Sequence, residues 1–148
     1  MPTIECTLAS FGFRGVPAPA VQAYFYIPKI AYGSFVTFLI DTGASGTCLH
    51  GPVALYLQKR LKKQTIQHSQ GIGGKSAYYH ERAILTFTDI TGQPVSRGTS
   101  MGIQKLSALK LFFKKQSLKL PSLLGRDILS RSRFIYDASN NIITMELP

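Results

Sequence analysis

The chain has 148 residues, with 17 Lys and Arg against 7 Asp and Glu, and a formal net charge of +10. That length supplies one domain, read here as residues 1–148, and at 45% hydrophobic content it can bury a real core. It excludes a large multidomain enzyme and any fold that needs two similar lobes in one chain. A charged fraction of 16% argues against disorder.

In chain order the punctuation is β-like. Residues 3–9 alternate, with Ile4, Cys6 and Leu8 on one face, and residues 10–19 hold two Gly and two Pro and read as a loop. Residues 21–27 are aromatic and β-branched and end at Pro28. Tyr32, Gly33 and Ser34 predict a turn before a strand over 35–40, apolar on both faces and so expected to be buried. Residues 52–61 predict a helix, with Lys59 and Arg60 placed to complement its C-terminal dipole. Strands over 65–69 and 77–90 flank the cluster Gly71, Ile72, Gly73 and Gly74, and residues 91–94 form a turn.

Residues 104–120 fit helix and strand equally. Residues 127–133 suit a short helix, and 134–136 with 142–147 predict a hairpin that turns at 137–141. The expectation is an all-β fold with one or two short helices.

The opening residues Met1 to Glu5 lack a basic, apolar leader, and no apolar run approaches a membrane span, so a cytoplasmic location is expected. Cys6 and Cys48 are too few and too far apart for a disulfide framework or a zinc site, and read as buried thiols. His50, His68 and His80 form no metal spacing and are expected at the surface. No metal or cofactor is expected.

The informative segment is Phe38-Leu39-Ile40-Asp41-Thr42-Gly43-Ala44-Ser45. A carboxylate that follows an apolar strand carries a desolvation cost, so an Asp there needs a reason. Thr42 brings a hydroxyl that can lock the turn, and Gly43 removes a Cβ. The segment resembles the catalytic signature of aspartic proteases. Two later features fall in the order that family requires. The Gly71–Gly74 cluster stands where a retropepsin has its flap hairpin. Leu123-Leu124-Gly125-Arg126-Asp127 resembles the element that crosses behind the catalytic loop and leads into a short helix. The chain is therefore similar to retropepsin-like aspartic proteases, of a cellular or bacterial branch rather than a compact viral one.

The resemblance implies a closed, barrel-like β lobe with a flap hairpin, and peptide-bond hydrolysis by two carboxylates that share one proton. It assigns catalysis to Asp41 and support of its loop to Thr42, Gly43, Ala44 and Ser45. Substrate coverage falls to Gly71, Ile72, Gly73 and Gly74. With one Asp-Thr-Gly per chain, it implies a two-fold homodimer that takes a protein or peptide substrate. Asp137-Ala138-Ser139 lacks the Gly and lies in a predicted turn. Ala44 stands where pepsin-like enzymes carry Ser, which implies a mildly acidic optimum.

Departures are visible. The Asp that often follows the loop in viral enzymes is replaced by Ser45, Gly46 and Thr47, so Arg126 is expected to pair with Asp127, a terminal carboxylate or a carbonyl. The 89–121 stretch is longer than in compact viral enzymes, and the first thirty residues do not match a short dimer strand.

Each feature also has a plainer reading. Leu123, Leu124 and Gly125 read as core, Arg126 and Asp127 as an ion pair or helix start, and Cys48 as a small buried hydrophobe. Tyr78 and Tyr79 suit strand packing or substrate contact equally. Lys59, Arg60, Lys62 and Lys63 form one basic run; Lys105, Lys110, Lys114, Lys115 and Lys119 form another. Nucleic acid or an anionic membrane could engage such runs, but no motif supports either, and a solvated basic surface is favoured. The alternative to an endopeptidase is a non-catalytic retropepsin-fold protein that dimerises or binds peptides.

Overall fold

The computed structural model describes residues 1–11, 16–61, 66–71, 74–106 and 120–148, with side chains for all of these except 66–71 and 74–75. Ile72, Gly73, Lys62, Lys63 and the basic stretch 107–119 lie outside the described residues, as does most of the ambiguous 104–120 segment.

The architecture is all-β, with two short α-helices among the described residues. Strands β1 (Thr3–Glu5), β2 (Thr7–Ala9) and β3 (Ala18–Ile27) are followed by a 3-10 turn at Pro28–Ile30 and by β4 (Tyr32–Ile40). Next come β5 (Cys48–Leu49), α1 (Gly51–Arg60), β6 (Ile66–Gly71), β7 (Gly74–Thr88) and β8 (Pro94–Gln104). The chain ends with β9 (Ser122–Leu124), α2 (Arg126–Leu129), β10 (Arg133–Asp137) and β11 (Ile142–Glu146).

The larger sheet runs β2-β3-β4-β9-β5-β8-β7-β6, and β3 also pairs with β7. That extra pairing joins Tyr24 to Thr86, Phe25 to Leu85 and Tyr26 to Ile84. It closes six strands, β3-β4-β9-β5-β8-β7, into a barrel, which leaves those six without a free edge. The barrel is filled by Phe25, Phe38, Leu85, Phe87, Met101, Ile103 and Leu124, and α1 adds Ala54 and Leu57. Each large apolar side chain buried there contributes about 1.5–3 kcal/mol. A second sheet, β1-β11-β10, joins the two ends of the chain. The turn expected near 91–94 and the hairpin turn expected at 137–141 are both present: Asp89 accepts the Gln93 and Thr91 backbone N–H groups, and Asn141 adopts φ 55° after β10.

Several expectations are corrected. The run 3–9 is two strands, not one. β1 pairs with β11 and β2 with β3, and Cys6 between them donates its N–H to the Ile143 carbonyl. A period of two survives a change of partner sheet, so alternation alone cannot reveal the break. Tyr32, Gly33 and Ser34 belong to β4 rather than to a turn; the chain reverses earlier, at Pro28–Ile30, where Ala31 takes φ 48°. Gly33 is needed there because a Cβ would lie 2.5 Å from the Tyr24 hydroxyl, so it marks a close cross-strand approach.

The strand over 35–40 is only half buried. Phe38 and Ile40 face the core, whereas Phe35 is 66% exposed with its ring edge-on to Tyr24. The helix expected over 127–133 stops at Leu129, because β10 already begins at Arg133. Among the described residues, no helix is long and apolar enough to cross a membrane.

Candidate active site

β4 and β9 lie parallel, with Ile40 opposite Leu124, so the ends of the two strands emerge side by side. Asp41 follows the first and Gly125 the second. The two segments are laced together by backbone: the Asp41 N–H donates to the Leu124 carbonyl at 3.1 Å, and the Arg126 N–H donates to the Ala44 carbonyl at 2.9 Å. Within the loop, the Ala44 N–H donates to the Asp41 carbonyl at 3.2 Å. The Asp41 carboxylate is half buried, and its Oδ1 accepts the Gly43 N–H at 2.8 Å. Among the described residues, Oδ2 has no hydrogen-bond partner. Thr42, Gly43 and Ser45 are exposed and Ala44 is half buried.

Gly125 makes this arrangement possible. A Cβ on it would lie 2.4 Å from the carbonyl carbon and oxygen of Gly46, so the two backbones touch. Leu123 and Leu124 belong to β9, with Leu124 fully buried.

α2 opens at Arg126, in keeping with the helix-start alternative rather than the ion pair offered for Arg126 and Asp127. Among the described residues Asp127 forms no ion pair with Arg126, whose side chain is exposed. Instead the Thr47 hydroxyl donates to its Oδ1 at 2.7 Å, and the Thr99 hydroxyl donates to its Oδ2. Thr47 is fully buried and also accepts the Gly125 N–H at 3.1 Å. Hydrogen bonds to a charged acceptor are stronger than neutral ones, so this carboxylate pins the loop to β8 and α2. Each oxygen of Asp127 thus accepts a Thr hydroxyl, which fixes its orientation. Thr47 and Thr99 carried no role in the sequence reading, since nothing local marks two Thr residues for a carboxylate 80 and 28 positions away.

Cys48 sits beside the loop, half buried. Its thiol is pushed up to about 12 by burial, then by the negative charges of Asp127 and Asp41. It donates to the Gly46 carbonyl at 3.5 Å and stays protonated, so it is not a nucleophile.

His50 is corrected from a surface residue to a buried one, 6% exposed. Nδ1 lies 2.6 Å from the Pro121 carbonyl oxygen and Nε2 lies 2.8 Å from the Tyr78 hydroxyl. Burial, only partly opposed by the Pro121 hydrogen bond, holds its pKa below the ordinary 6.5. The unfolded chain thus takes up a proton before the folded one, so stability is complete above pH 6.5 and falls as the pH drops towards the folded value. The urea midpoint is expected to decline below that pH, and less steeply in His50→Gln. Equal declines in the two proteins would remove His50 from the acid response.

Gly71 and Gly74 are paired residues at the inner end of the β6–β7 hairpin turn. Arg60 lies over the rings of Tyr32 and Tyr56, at 5.7 and 5.6 Å from their centroids. Among the described residues, no group of three His, Cys, Asp or Glu side chains could hold a metal ion.

No family model matches the chain, and no curated protein matches it. Among solved structures it is similar to EIAV protease complexed with the inhibitor HBY-793, at 16% identity and a TM-score of 0.43, over 82% of this chain and 92% of that one.

Proposed function

We propose that this chain is a retropepsin-like aspartic endopeptidase, one domain per chain, active as a two-fold homodimer with Asp41 of each copy supplying half of a catalytic dyad. The observation that carries the reading is the presentation of Asp41. Its carboxylate stands at a solvent-reaching turn whose backbone is held by the Leu124 carbonyl and the Arg126 N–H, with Oδ1 oriented by the Gly43 N–H and Oδ2 left for another group. Asp127, the other carboxylate that acts on Cys48, has both oxygens held by Thr hydroxyls. With one Asp-Thr-Gly per chain, this reading takes the second catalytic carboxylate from another copy.

In this mechanism the ionised Asp takes a proton from water as its oxygen attacks the scissile carbonyl carbon. The protonated Asp of the partner copy gives its proton to the carbonyl oxygen. Collapse of the tetrahedral species breaks the C–N bond, and the leaving nitrogen takes a proton from the dyad. Thr42, Ala44 and Ser45 shape the loop. The β6–β7 hairpin, with Gly71, Ile72, Gly73 and Gly74, covers the bound peptide and excludes water.

Dimer dependence gives the test. Specific activity on a denatured protein substrate is expected to fall as the protein is diluted through its dimer dissociation range. Activity strictly linear in concentration, down to the monomeric range seen by sedimentation, would remove the two-chain dyad. Peptide binding without any cleavage would leave the non-catalytic reading in its place.

A further inference from the structure

His50 lies between β5 and α1, and the polarity of its ring is fixed by its partners. The Pro121 carbonyl can only accept, so Nδ1 carries the hydrogen of that 2.6 Å contact. A neutral imidazole then has only a lone pair at Nε2, so the Tyr78 hydroxyl, 2.8 Å away, donates to it. Burial keeps the ring neutral. The two rings pack with centroids 5.7 Å apart.

The position of Tyr78 along β7 gives this bond its meaning. Pairing of β7 with β8 runs from Thr88 opposite Pro94 to Tyr78 opposite Gln104. From Ala77 to Gly74, the register of β7 is with β6 alone, apart from one bond from the Lys105 N–H to the Ala77 carbonyl. Tyr78 thus stands where the hairpin arm leaves the barrel. On the other side, the His50 N–H donates to the Ser122 hydroxyl at 3.1 Å. Pro121 and Ser122 lead into β9, whose Leu124 holds the Asp41 N–H. A continuous line of hydrogen-bonded groups and short backbone links therefore joins the base of the hairpin to the strand behind Asp41.

We propose that Tyr78 and His50 are positioning residues, a hinge latch that sets the angle of the β6–β7 arm by tying it to the chain entering β9. That the arm covers substrate rests on the protease reading; that the latch holds the arm does not.

The experiment uses the full chain and Tyr78→Phe, which keeps the ring and loses only the hydroxyl. In the wild-type protein, nitrogen-15 spectra of the imidazoles should show His50 with hydrogen on Nδ1. In Tyr78→Phe, amide exchange across residues 66–77 is expected to quicken about fivefold, while β3 and β4 exchange as before. With a peptide substrate, KM should rise about fivefold and kcat stay within about twofold, because the arm binds ground and transition states alike. His50→Gln should reproduce the exchange pattern. Hydrogen on Nε2, unchanged exchange in the arm, or quickening spread evenly through β3 and β4 would each overturn the latch. If neither wild type nor variant cleaves peptides, the protease reading fails, and the exchange pattern alone still decides the latch.

Discussion

Replacing Asp41 with Asn is expected to abolish peptide hydrolysis while leaving the fold intact. The Asn amide oxygen can still accept the Gly43 N–H that now meets Oδ1 at 2.8 Å, and the clamps from Leu124 and Arg126 are backbone bonds that the substitution does not touch. What disappears is the ability to exchange a proton with water and substrate, and general acid–base loss of this kind costs about 10²–10⁴-fold in rate. The thermal midpoint should be close to that of the parent, and cleavage of a denatured protein should fall to background. A mixing experiment sharpens the result. With wild type held constant and Asp41→Asn added in excess, activity should decline, because mixed dimers contain one carboxylate. Activity untouched by the excess would mean that one chain works alone, and cleavage that survives in pure Asp41→Asn would reject the mechanism.

The second large effect is expected at Gly125. Replacement with Ala puts a methyl group 2.4 Å from the Gly46 carbonyl carbon and oxygen and 2.9 Å from its Cα. These are backbone atoms, so no side-chain rotation relieves the clash. Either β9 or the 41–47 loop must move, which strains the Asp41–Leu124 and Arg126–Ala44 bonds and the Thr47 contact with the Gly125 N–H. Overpacking of this kind costs about 1–3 kcal/mol, and each weakened hydrogen bond adds about 0.5–1.5 kcal/mol. The urea midpoint should drop accordingly, and cleavage should fall further than stability does because the displaced loop carries Asp41. Gly98→Ala is the control: nothing lies within 4 Å of the added methyl, and a change within about 0.5 kcal/mol is expected. Equal stability of the two variants would show that the Gly46–Gly125 contact does not hold the loop.

These two positions show how much the sequence carried. Asp41 stood out because a carboxylate after an apolar strand and before small residues is costly without a purpose. The β class, the helix near 52–61, the hairpin around the Gly71–Gly74 cluster and the closing turn at 137–141 were legible from alternation and turn residues. These are local signals, written within a few residues of the element they specify. Gly125 was legible as part of a motif, but its reason was not: its neighbour Gly46 lies across the fold.

The remainder depended on partners that no local pattern names. Alternation assigns residues to a face of a strand, yet it is silent about which strand lies alongside, so it could neither divide 3–9 between two sheets nor foresee the β3–β7 pairing that closes the barrel. Residue type offered an ion pair or a helix start at Arg126 and Asp127; a helix opens there, while burial delivered two Thr hydroxyls to Asp127 and left the Arg126 side chain exposed. A surface default for His50 failed because a carbonyl and a phenol converge on its two nitrogens from 71 and 28 residues away. The sequence by itself determined that this chain is a β protein with one acid set between an apolar strand and a turn of small residues. Only the tertiary structure decided how that acid is held and what lies behind it, because a buried polar group is satisfied by whatever closure of the chain brings within hydrogen-bond reach.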